Sequence, residues 1–137
     1  MSGGDELHTG SCLCGAVRYV ARGMPVQVNI CHCRMCQKAT GAPMSAWATF
    51  PRDQVEFIGT EPTFRQSSEI AVRGFCAACG SALTWQETAQ PELIDLSVGT
   101  LDDPGRIRPQ DHLWTSSAVP WLHIADDLPR YARSRQG

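Results

Sequence analysis

The chain has 137 residues, with 12 Lys and Arg against 14 Asp and Glu, a formal net charge of −2 and 42% hydrophobic residues. A domain of this size buries roughly two-thirds of its unfolded surface without covalent staples, and a charged fraction of only 19% excludes both a basic nucleic-acid arm and an acidic disordered tail. Seven cysteines are an odd number, so they cannot form a fully paired set of disulfides within one chain.

Residues 1–10 (MSGGDELHTG) carry acidic groups and no apolar run, unlike a secretory signal peptide, so a cytoplasmic location is expected. A reducing compartment leaves metal binding or thiol chemistry as the use of the cysteines. No stretch approaches the roughly 18 consecutive apolar residues of a membrane span. Even 42–50 is broken by Pro43, Ser45 and Thr49. In chain order, strands are predicted at 16–20, 26–30, 44–50, 55–58, 70–75, 81–85 and 93–98, short β-branched or aromatic runs bounded by Gly, Pro, Asn and Asp. Most alternate apolar with polar, as half-buried antiparallel strands do. One helical turn or two is expected after Cys36, over 37–40, with Gly41 as its stop. Residues 51–53 and 59–62 read as turns and 101–109 as a longer loop. Trp114, Trp121, Leu122, Ile124, Leu128 and Tyr131 alternate with polar residues, so the tail is expected to pack on the sheets. The reading is one all-β domain over 1–137, with an ordered core of about 7–131 and frayed ends.

The cysteines fall in three groups: Cys12 and Cys14; Cys31, Cys33 and Cys36; Cys76 and Cys79. Thiolates one or two residues apart can converge on one tetrahedral ion at about 2.3 Å from each sulfur, and zinc suits such a donor set best. An iron-sulfur cluster is the lesser option, and inert burial would not produce C-x-C, C-x-C-x2-C and C-x2-C groups. Gly15 and Gly80 follow the outer groups and permit the positive φ that ends such turns. Four plus three is the natural partition. Cys12, Cys14, Cys76 and Cys79 would close a structural site, and Cys31, Cys33 and Cys36 would leave a coordination position open, as catalytic zinc sites do. Spacing alone leaves room for a fourth ligand to the middle group from His8, His32, His112 or His123. A role for His32 beside the ligands fits better than direct ligation, and His112 and His123 read as packed tail residues.

Read in order, the groups make the chain resemble the family of the glutathione-dependent formaldehyde-activating enzyme, also called S-(hydroxymethyl)glutathione synthase, which includes centromere protein V. The resemblance rests on residues 10–19 (GSCLCGAVRY), 31–38 (CHCRMCQK) with Gly41, 75–81 (FCAACGS), His112-Leu113-Trp114, Pro120-Trp121 and Asp127-Leu128-Pro129. It implies an Mss4-like (β-tent) domain of folded antiparallel sheets with short helical turns and two zinc ions. The structural ion is expected on Cys12, Cys14, Cys76 and Cys79, and the second on Cys31, Cys33 and Cys36. The implied activity is carbon-sulfur bond formation and cleavage between a thiol cofactor, glutathione or similar, and a small aldehyde such as formaldehyde. The expected nucleophile is an external thiol activated at the three-thiolate site, not a protein cysteine.

An anionic thiol cofactor needs cations or N–H donors. Arg34 and Lys38 are nearest in sequence, with Arg73, Arg106 and Arg108 weaker candidates. Core packing is the expected role of Trp47, Trp85, Trp114 and Trp121, although one of them could wall the open site. Asp95, Asp102, Asp103 and Asp111 could serve as proton-transfer groups, but turn and cap roles fit them better and none is assigned, and Arg130, Arg133 and Arg135 read as a solvated basic end. The competing readings are a non-catalytic zinc module for protein interaction and a thiol-based redox sensor or metal store. A pI near 6.0 speaks against nucleic acid as partner.

Overall fold

Alternating sequence resolves into two sheets in the computed structural model, which describes residues 6–136. The first sheet has the order β1-β2-β5, from β1 (Leu7–Ser11), β2 (Val17–Arg22) and β5 (Val55–Gly59). The second has seven strands: β3 (Gln27–Cys31), β4 (Ser45–Pro51), β6 (Thr63–Gln66), β7 (Ala71–Phe75), β8 (Ala82–Glu87), β9 (Leu93–Ser97) and β10 (Asp111–Leu113). Their order is β10-β3-β4-β9-β8-β7-β6. Every pairing is antiparallel except β10 with β3, which is parallel and departs from the expected wholly antiparallel sheets.

All seven predicted strands are present, with ends moved by no more than two residues. Three further strands carry no apolar alternation. Strand β1 turns His8 and Gly10 inward, β10 buries Asp111 and His112, and β6 is an exposed edge. Helix α1 (Arg34–Thr40) starts three residues before the predicted span, because the Cys33 sulfur accepts the Cys36 N–H as an N-cap. Gly41 ends it at φ +73°, in the left-handed region that glycine enters without strain.

The period of two puts Val28, Ala48, Phe50, Ile94 and Leu96 on the face of the large sheet that packs against Tyr19, Ala21 and Val55 of the small one. Phe50, Ile94 and Leu96 are fully buried there, each worth roughly 1.5–3 kcal/mol of transfer free energy. The intervening residues of β3, β4, β8 and β9, with β7, line a cleft of about 540 Å³ on the opposite face. The sheet is thus half core and half cleft floor.

The tail packs as expected, through β10 and through bonds from His112 N to Pro129 O and from Tyr131 N to His112 O. Of its basic residues, Arg133 is exposed as expected, whereas Arg130 and Arg135 are ion-paired. Arg135 donates from Nε and Nη2 to the Asp111 carboxylate and from Nη1 to Gln27 Oε1 at 2.6 Å, while Arg130 donates to Asp126. Of the tryptophans, Trp47 is buried, whereas Trp121 is 70% exposed and so does not pack in the core. No helix among the described residues is long and apolar enough to cross a membrane.

Candidate metal centre and cleft

The turn between β1 and β2 holds Cys12 and Cys14, and the turn between β7 and β8 holds Cys76 and Cys79. Gly15 at φ +80° and Gly80 at φ +83° close these turns. The four sulfurs lie within 4.8 Å of one another. Cys12 and Cys14 are 3.6 Å apart, and Cys14 and Cys76 are 3.8 Å apart. A tetrahedron with metal-sulfur bonds of about 2.3 Å has edges of about 3.8 Å. The donor set therefore fits a zinc-sized ion in both chemistry and spacing. The Val17 N–H donates to Cys12 Sγ, and the Ser81 hydroxyl with the Ser81 N–H holds the Cys79 thiol down at about 5.

The second group forms where β3 runs into α1. Cys31, Cys33 and Cys36 bring their sulfurs within 4.8 Å of one another, and no fourth Cys, His, Asp or Glu among the described residues joins them. Hydrogen bonds from Cys31 and Cys33, then one from Arg73, hold the Cys36 thiol down at about 2, whereas bonds to Cys33 and Cys36 and burial push Cys31 up. Arg73 Nη2 donates to Cys36 Sγ at 3.4 Å.

His32 is not in this sulfur group. Its Nε2 lies 2.9 Å from His112 Nδ1, and His112 Nε2 lies 2.9 Å from Asp126 Oδ2. Burial, then His112 and Arg130, lowers the His32 pKa and keeps that ring neutral. The Asp126 carboxylate can only accept, so His112 Nε2 carries the proton. His32 Nε2 and His112 Nδ1 share one hydrogen, and His32 Nδ1 is buried with no partner among the described residues. His112 faces this chain, not the open side of the sulfur trio.

The trio opens on the cleft. Cys31, Cys33, Cys36, Arg73 and Asp95 line it together with Trp47, Trp85 and Trp114. Arg34 and Lys38 do not. Both are exposed, and Arg34 donates to Gln37 within α1. The cation at the sulfurs is Arg73, which β7 brings from 37 residues away, a proximity that neighbourhood in sequence does not reveal. Arg106 does not line the cleft and is bound to Glu6. Arg108 is exposed and does not line the cleft.

Residues 7–117 match the family described as glutathione-dependent formaldehyde-activating enzyme. The chain belongs to that family. A protein of Halomonas elongata that carries the same name in provisional form is 32% identical over 127 residues, covering 86% of this chain and 81% of the relative. The fold also resembles the crystal structure of a Rhodobacter sphaeroides protein. It has a TM-score of 0.55 at 23% identity and covers 74% of this chain and 91% of that one.

Proposed function

We propose that the chain is a zinc-dependent carbon-sulfur lyase and synthase acting on adducts of a low-molecular-weight thiol, glutathione or similar, with a small aldehyde such as formaldehyde. The observation that carries this reading is the convergence of Cys31, Cys33 and Cys36 on the wall of a cleft that contains Arg73. Membership of the glutathione-dependent formaldehyde-activating family supports it.

Cys31, Cys33 and Cys36 would hold the catalytic ion, and Cys12, Cys14, Cys76 and Cys79 the structural one. When bound, zinc supplies Lewis-acid activation of an incoming thiol at neutral pH. Arg73 offsets negative charge at the sulfurs, which grows when an anionic thiol enters. Trp47 and Trp85 give the cleft an apolar wall that limits water at the reacting carbon. The chain's own thiols are ligands in this scheme, so none of them attacks the aldehyde.

Metal stoichiometry combined with thiol titration tests the proposal. Two zinc ions per chain are expected, with glutathione perturbing the spectrum of only one after cobalt substitution. Cys33→Ser should lose turnover together with one metal equivalent. One ion per chain with no response to thiol would sink the enzyme reading in favour of a zinc module for protein interaction.

A further inference from the structure

One row of paired residues crosses the cleft floor. Gln27 of β3 pairs with Thr49 of β4, Thr49 with Asp95 of β9, Asp95 with Trp85 of β8, and Trp85 with Arg73 of β7. All five line the same cleft as the sulfur trio, and Arg73 at one end of the row touches Cys36. Residues in register on one face stand together across adjacent strands about 4.8 Å apart. Asp95 is the carboxyl of this row, set between an aromatic wall and a hydroxyl donor. Thr49 Oγ1 donates to its Oδ1 at 2.6 Å.

We infer that Asp95 is the proton carrier of the cleft, taking the proton of the incoming thiol and delivering it to the aldehyde oxygen. The inference rests on the function proposed above. In synthesis the S–H proton passes to the Asp95 carboxylate and the sulfur lone pair forms the new bond to the carbonyl carbon. The carbonyl π pair moves onto oxygen, which takes the proton back from Asp95. In cleavage the steps reverse, so Asp95 removes the hydroxyl proton, the carbon-sulfur bond breaks and the sulfur is reprotonated. No net proton, oxidant or reductant is needed.

The surroundings suit a group that works in both directions. Burial pushes the Asp95 carboxyl up to about 6, against the Thr49 bond that lowers it. The charged neighbours are Cys36 of α1, Glu87 of β8 and Arg135 of the tail, with Arg73 of β7 at the end of the row. Cys36 and Glu87 raise the value and Arg135 lowers it, while β3 and β4 add the uncharged side chains of Gln27, Asn29, Trp47 and Thr49 and the Cys31 thiol at the end of β3. A carrier with a pKa near the working pH transfers protons most effectively.

The test uses the zinc-loaded full chain with glutathione and formaldehyde, and exchange NMR reads the rate at which the adduct forms and breaks. Asp95→Asn keeps an acceptor for Thr49. It should lower kcat by about 100-fold or more while KM for the thiol stays within about threefold. The wild type should lose activity on acidification through pH 6, and this acid limb should vanish in Asp95→Asn. Infrared spectroscopy of the zinc-loaded protein without substrate gives a readout independent of turnover, a protonated-carboxyl band titrating near pH 6 that the variant lacks. Thr49→Val removes a bond that favours the carboxylate, so both band and limb should move to higher pH. Unchanged exchange in Asp95→Asn, a persisting acid limb or an unmoved limb in Thr49→Val would each overturn the assignment alone. A wild type that neither binds the thiol nor speeds exchange would overturn the function, and the assignment with it.

Discussion

Asp95 carries a cost in folding that is separable from any role in chemistry. Burial pushes its carboxyl up to about 6 in the folded chain, above the value of about 3.9 for an aspartate in the unfolded chain. The folded state therefore binds this proton more tightly, and stability falls as pH rises through the window between about 4 and 6. Above that window the cost of the charge is full, and below it the cost is absent. Asp95→Asn is neutral throughout, so at pH 7 it should be more stable than the wild type by up to about 3 kcal/mol. That advantage should shrink below pH 6 and be gone near pH 4, as urea denaturation across this range would read. A variant less stable than wild type at pH 7 would mean that the carboxylate is held by favourable contacts, not tolerated at a cost. Thr49, Trp85 and Arg73 share the row with Asp95, so one half-buried charge is arranged by four strands.

The elements that escaped prediction are those whose inward residues are polar or absent. Strand β1 faces the core with His8 and with Gly10, whose missing side chain is the point. A Cβ at residue 10 would sit 2.3 Å from the Tyr19 ring and 2.7 Å from the Thr100 carbonyl. Tyr19 is buried and shares a 2.7 Å hydrogen bond with the Thr100 hydroxyl, so it has little room to yield. Gly10→Ala should therefore cost about 3 kcal/mol, measured by chemical denaturation. Strand β10 escaped for a related reason, since its buried His112 is held by hydrogen bonds to His32 and Asp126, not by apolar contact. His112→Ala removes both bonds and leaves a cavity, for a loss of about 3 kcal/mol. Limited proteolysis should then cut the tail beyond residue 114, which the wild type protects. By contrast, strands such as β4 and β9, with Phe50, Ile94 and Leu96 on one face, were plain from alternation alone. The cysteine groups were equally plain because metal-ligand spacing is local. The places of Arg73 and Asp95 were not, because only the pairing of β7, β8 and β9 sets Arg73 beside the trio and Asp95 in the same cleft.

The two sulfur groups differ in what they join, and this predicts how the whole molecule responds to losing each. Cys12 and Cys14 belong to a turn of the three-stranded sheet, and Cys76 and Cys79 to a turn of the seven-stranded one. An ion held by all four ties the two sheets together through Cys14 and Cys76, which are 62 positions apart in the chain. A structural zinc contributes on the order of 10 kcal/mol, comparable with the whole stability of a domain this size. Cys31, Cys33 and Cys36 span six residues from the end of β3 into α1, so an ion there closes no long loop. Cys76→Ser should abolish the cooperative melt of the zinc-loaded chain, because the sheets lose their tie. Cys33→Ser should lose one ion yet shift Tm by less than about 5 °C, since a serine hydroxyl still caps α1 at the Cys36 N–H. Calorimetry with metal analysis on both variants separates the outcomes. Equal damage from the two substitutions would mean that the sheets are held by their shared core around Phe50 and Tyr19, and not by the four-sulfur tie.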